Sequence, residues 1–215
     1  MHLLCNFFKM IRQKFLFLSL FLFLFSLTSF AQKVSVHVFT ENYKSIPGSD
    51  TIYYNFNQPL HWSDFQGKIP NAVPWGAMTA SGFSFNSSMS QEGDKIDISV
   101  GVFTFFTKHD SWKKPQTNTP YQLEHEQHHF DITRLGAAKL ENEIKKAHFT
   151  AANYKTLLNS IFNKIYEDEV AWQHQYDVET HNSLDSAKQL EWNKKISDAM
   201  VKLKSGSAED ISLKK

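Results

Sequence analysis

The sequence predicts an α+β fold, a small, mostly antiparallel sheet followed by a three-helix half. Three observations carry this reading. Apolar residues alternate with period two up to about Trp112, whereas from Thr119 onward they recur with period 3.6. The junction Thr119-Pro120-Tyr121-Gln122 is a helix start, with Thr as N-cap, Pro at the first helical position and Gln completing a capping box. Strands gathered ahead of helices, not interleaved with them, indicate α+β.

Residues 1–31 read as a signal peptide. Lys9, Arg12 and Lys14 precede an apolar run, Phe15 to Phe30, and Ser29-Phe30-Ala31 is a small-x-small cleavage signal. The run is shorter than the roughly 20 residues that a spanning helix needs. The expected mature chain begins at Gln32, is secreted or periplasmic, and keeps no stable membrane anchor. Cys5 is the single cysteine and lies ahead of the apolar run, so the mature chain forms no disulfide. Loss of three basic residues and no acidic one leaves 20 Lys+Arg against 22 Asp+Glu. Nothing basic remains to recruit nucleic acid or an anionic membrane.

The β-rich part spans residues 32–118. Val34 to Phe39 alternate, Thr51 to Phe56 and Ala77 to Phe85 are β-rich, and Gln91-Glu92-Gly93-Asp94 is a turn signal. Ile96 to Phe106 follows, with Ile96, Ile98, Val100 and Val102 on one side; this strand could border a cleft and hold a peptide by strand addition, or be simply a core strand. Asn57 to Trp75, rich in Pro, Gly and Trp, reads as loop. The helical part spans residues 119–204. Its first helix runs to about Lys146, and Ala147 to Thr150 is a break. A second helix covers Ala151 to Gln175, with Leu158, Phe162, Ile165, Trp172 and Tyr176 on one stripe. A third fits Leu184 to Leu203, with Leu190, Ile196, Met200 and Leu203 inward. Together these form one domain, 32–204, followed by a flexible tail, 205–215.

The chemistry concentrates in Leu123 to Phe130, LEHEQHHF. His125 and His129 are four apart, so they share a helix face and can chelate one ion. Glu126 lies beside them. In this H-E-x-x-H spacing two imidazoles hold zinc and the glutamate takes a proton from water. His128 points elsewhere and reads either as surface or as a residue behind the metal ligands. A catalytic zinc needs a third protein ligand, and Asp168, Glu169, His174, Asp177, Glu179 and His181 are candidates. A tight connection centred near His148 makes the first two helices antiparallel neighbours. Equal distances on either side of that centre set His129 and His125 opposite positions 167 and 171. Glu169 falls between these, on the apolar stripe, where a carboxylate is costly unless paired or metal-bound. Glu169 is therefore the expected ligand and His181 the alternative. Tyr176, or His181 if it is not a ligand, could donate to a developing oxyanion; Tyr176 reads equally well as a core aromatic with its hydroxyl in water, and Asp177 could orient an imidazole.

His125-Glu126-Gln127-x-His129-Phe130-Asp131, with Tyr176-Asp177-x-Glu179-Thr180-His181 downstream and Trp62-x-Asp64-Phe65-x-Gly67 upstream, resembles a bacterial domain family of unknown function described as secreted zinc-dependent proteases. The resemblance spans about Trp62 to Trp192 and implies a zincin-like helical half with peptidase chemistry. Members often carry Gly where this chain has Asn182. The expectation is a secreted or periplasmic zinc metallopeptidase acting on a peptide or protein substrate, with Glu126 as general base. The alternative is a non-enzymatic envelope protein with a structural zinc, or none.

Overall fold

The computed structural model describes residues 32–206 and 212–213. The signal peptide expected over 1–31 and most of the tail lie outside the described residues. The elements in order are β1 (Lys33–Thr40), β2 (Thr51–Tyr53), β3 (Ala77–Met78), β4 (Ser81–Glu92), β5 (Lys95–Thr107), β6 (Trp112–Lys113), α1 (Pro120–Lys146), α2 (Tyr154–Thr180) and α3 (Ser186–Lys204), with a 3-10 turn at Trp62–Asp64. Sheet precedes helices, as an α+β chain requires.

β5 is the centre of the main sheet. β4 pairs antiparallel along one edge, from Ser81↔Phe106 to Glu92↔Lys95. The hairpin turns at Gly93, whose φ of 61° is one that glycine adopts without strain. The other edge is shared. β1 pairs with the first part of β5 and β2 pairs antiparallel with its end. β1 runs parallel to β5, so the sheet is mixed. Alternation reports which face a residue takes, not the direction of its strand. Both edges of β5 are occupied, so it cannot hold a peptide by strand addition. β3 and β6 form a separate two-stranded ribbon.

α1 is buried on two sides; 15 of its 27 residues are buried, so the rest of the domain packs around it. One side, Ala137, Leu140 and Ile144, covers the β5 row of Ile96, Ile98, Val100 and Val102, with Leu158 and Ile165 of α2. The other side, Ile132, Leu135 and Ala138, meets Trp172 and Tyr176 of α2 and Trp192 and Ile196 of α3. Leu190 points outward, and Gln189 and Trp192 take the inward positions. Leu213, within the tail expected to be flexible, is buried against the same cluster, and Lys195 donates to its carbonyl.

The helix ends follow from capping chemistry. Thr119 Oγ1 accepts from Gln122 N, and the Gln122 side chain accepts from Thr119 N, so α1 starts where its capping box dictates. α2 starts at Tyr154, three residues later than expected. Thr150 and Asn153 bond reciprocally, N to Oδ1 at 2.7 Å and N to Oγ1 at 3.2 Å, and hold 150–153 as a turn. α2 also runs on to Thr180. It stops where His181, Asn182 and Ser183 all take positive φ, a region in which Asn is the best tolerated after Gly.

Candidate metal centre

α1 and α2 pack antiparallel, and their polar contacts form rungs. His129 meets Gln173, Thr133 meets Glu169, and His125 meets Asp177. Every rung has its midpoint at residue 151, not 148. The late start of α2 moves its face along α1 by that difference. Asp177 therefore stands opposite the two histidines, and Glu169 stands two rungs deeper.

The Nε2 atoms of His125 and His129 are 3.3 Å apart, and Asp177 Oδ1 lies 3.3 Å from the first and 3.1 Å from the second. Two donors about 2.0–2.1 Å from a tetrahedral zinc are about 3.3 Å from each other. The triangle has the dimensions of one face of that tetrahedron. His125, His129 and Asp177 are the group of ligand atoms among the described residues that converges in this way. Each imidazole is also oriented from behind. His125 Nδ1 lies 2.9 Å from Gln189 Oε1, and His129 Nδ1 lies 2.6 Å from Gln173 Oε1. The Gln189 amide nitrogen donates to the Tyr176 hydroxyl and Asn193 Oδ1; that of Gln173 donates to His129 O and Glu169 Oε1. Both amide oxygens must therefore accept, which puts the proton on each Nδ1 and the lone pair of each Nε2 toward the centre. The residues fit a divalent cation. Without one, burial disfavours the His129 imidazolium, but Asp177 outweighs it, and the pKa rises to about 9. Burial opposes ionisation of Asp177 too, yet its bonds from His125 and His129 hold it well below the usual carboxylate range.

The centre lies in a cleft of about 750 Å³. Glu126 lines the cleft and is 6 % exposed. Thr79 Oγ1 donates to Glu126 Oε2 at 2.7 Å, and among the described residues no donor meets Oε1. Thr79 belongs to the segment Trp75–Thr79, which carries β3 and forms one wall; Tyr166 and Val170 of α2 and Leu184 beyond it form the other.

Several residues singled out in the sequence sit elsewhere. Glu169 lines the cleft but is outside the ligand triangle; its carboxylate accepts from Thr133 and Gln173, and burial pushes its pKa up despite those bonds. Tyr176 is fully buried. Its ring stacks on His125 with centroids 4.6 Å apart, and its hydroxyl meets Gln189 and His125 O, so it braces a ligand and does not line the cleft. His181 is exposed at the end of α2, outside the cleft lining. Of the two readings of His128 the surface one falls: it is buried, with Nδ1 3.1 Å from Asp131 Oδ2. Sequence reasoning missed Thr79, Gln173 and Gln189. Gln189 carried a signal, since it falls on the inward stripe of α3 with Trp192 and Ile196.

A family described as Bacterial protein of unknown function (DUF922) matches residues 110–184, a narrower span than the Trp62 to Trp192 of the resemblance. The matched stretch holds Glu126 and all three ligand-triangle residues, and the description names no activity. No curated protein and no solved structure matches the chain.

Proposed function

We propose that this chain is a secreted or periplasmic zinc-dependent peptidase. The observation that carries the reading is the ligand triangle of His125, His129 and Asp177, with its imidazoles oriented by amides and Glu126 beside it in an open cleft. Three protein donors leave a coordination position free, which suits catalysis; a structural zinc closes its set with four. Zinc held there would act as a Lewis acid and make a water acidic near neutral pH. The protein's own part is proton handling. Thr79 fixes Oε2 of Glu126, so Oε1 accepts the proton of the attacking water and returns it to the leaving amine. Gln173, Gln189 and the Tyr176 ring keep the two imidazoles aimed while this happens.

Metal analysis of the purified chain, and a peptide library cleaved by wild type and Glu126→Gln, test this. We expect about one zinc per chain in both proteins and a loss of cleavage in the variant on the order of 100-fold or more, the scale of general base catalysis. Recovery of iron, which a two-histidine, one-carboxylate set also suits, would overturn the zinc assignment. Equal cleavage by both proteins would remove Glu126 from the chemistry.

A further inference from the structure

The proposed chemistry leaves one carboxylate of the cleft without a task. Glu126 handles the proton and Asp177 meets the histidines. Glu169 lines the same cleft, two rungs deeper than Asp177, and is 6 % exposed. It is held firmly. Its stem packs where Gly136 has no Cβ, and its Oε1 accepts from Thr133 Oγ1 at 3.0 Å and Gln173 Nε2 at 2.7 Å. Oε2 meets no donor among the described residues. The sealed side-chain atoms without a partner, among those residues, belong to Trp62, Thr104, Trp112, His128 and Trp172. Oε2 of Glu169 is unpartnered and not sealed, so it opens onto the cleft that its side chain lines. No lysine or arginine among the described residues pairs with the carboxylate. Lys114 lines the cleft, but its Nζ donates to Val73 O at 2.7 Å. Burying a carboxylate without a paired cation is costly, and burial pushes the pKa of this one up. A cation entering the cleft relieves that cost.

We propose that Glu169 selects the substrate: its Oε2 holds a primary ammonium, supplied by the N-terminus of the peptide or by a lysine side chain. The inference rests on the peptidase reading for what enters the cleft. An ammonium is compact and serves a single carboxylate oxygen. The fork of a guanidinium matches both oxygens, and Oε1 is already taken. Thr133 stands one turn from His129, about 6 Å along α1. One or two extended residues cover that distance. An N-terminal ammonium at Glu169 therefore brings one of the first two peptide bonds to the triangle, beside Glu126. A lysine side chain of similar reach brings a bond next to the lysine. Tyr166 and Val170, on either side of Glu169 along α2, also line the cleft and offer apolar surface to the carbon body that carries the ammonium.

Titration calorimetry of the full mature chain compares phenylalaninamide, Nα-acetyllysinamide and N-acetylphenylalaninamide. The first offers an α-ammonium, the second a side-chain ammonium and the third neither. We expect at least one ammonium to bind about tenfold or more tighter than N-acetylphenylalaninamide, the scale of one hydrogen bond to a charged group; the tighter of the two identifies the source. Glu169→Gln keeps the side-chain shape and a carbonyl oxygen for Thr133 and Gln173. It should bind N-acetylphenylalaninamide as wild type does, lose the ammonium preference and keep its zinc. No preference for an ammonium in wild type, or a preference that survives in Glu169→Gln, would overturn the proposal, as would loss of zinc from that variant. The two readings fail separately. Equal cleavage by wild type and Glu126→Gln would sink the peptidase reading and leave these affinities to decide the role of Glu169. Affinities that ignore the ammonium, with cleavage still dependent on Glu126, would sink this inference alone.

Discussion

Asp177 and Glu169 stand eight residues apart on α2, and only Asp177 meets the imidazoles. Both are acids turned toward α1, so residue type and helical phase could not separate them. Their surroundings do. Glu169 already has Thr133 and Gln173 as donors, whereas among the described residues Asp177 Oδ1 faces the two histidine nitrogens and no other donor. Asp177→Ala should therefore strip zinc from the chain, while Glu169→Gln should retain it; competition with a chromogenic chelator reads both. Zinc lost from Glu169→Gln and kept by Asp177→Ala would reverse the assignment. Gln189→Leu should leave all three ligands in place but lower zinc affinity by about 10–100-fold, the usual effect of removing the partner behind a ligating imidazole. The H-E-x-x-H pair and Glu126 were legible because their chemistry is local to one helix. Gln173, Gln189 and Thr79 were not, because an amide or hydroxyl becomes part of a metal centre only through what it faces.

At the scale of elements, α1 was legible to the residue and α2 was not, and the difference is in their capping. Thr119-Pro120-Tyr121-Gln122 carries its whole start signal in four letters. The Thr150–Asn153 turn reads equally well as the first turn of a helix. That small displacement moved the midpoint of the pairing and exchanged one acid for another. The direction of β1 was hidden for a different reason, since pairing with β5 is settled by the intervening chain. Close approach of the two helices depends on Gly136. A Cβ there would sit 2.9 Å from Glu169 Cγ and 3.1 Å from Phe83 Cε1. Alanine gains about 1 kcal/mol of helix propensity, but overpacking a core costs about 1–3 kcal/mol. Gly136→Ala should on balance destabilise. Gly136→Val, larger and β-branched, should do so more, and chemical denaturation gives the order directly.

Across the whole molecule, the proposed metal centre would couple folding to pH in opposite senses with and without an ion. In the metal-free chain the His129 pKa of about 9 exceeds its ordinary 6.5, so the stability it contributes is complete below about pH 6.5 and is lost as pH rises through about 9. Asp177 is shifted down, so its contribution is present above the ordinary carboxylate range and is lost only as the pH falls below it. Zinc binds the neutral imidazole, so its stabilisation instead grows with pH. Calorimetry should show the metal-free melting temperature falling between about pH 7 and 9.5 and that of the zinc-loaded chain holding steady. A flat metal-free profile would refute the coupling. The connection Ala147–Asn153 also has an evolutionary consequence. Surface loops ordinarily accept insertions and deletions freely, and this one lies some 30 Å from the cleft, judged by about 1.5 Å per residue along α1. Yet adding or removing one residue there leaves either a strained loop or an α2 turned by about 100°. Either outcome parts Asp177 from His125 and His129. Length in this loop should therefore be under purifying selection as strict as that on the ligands themselves, while its letters drift.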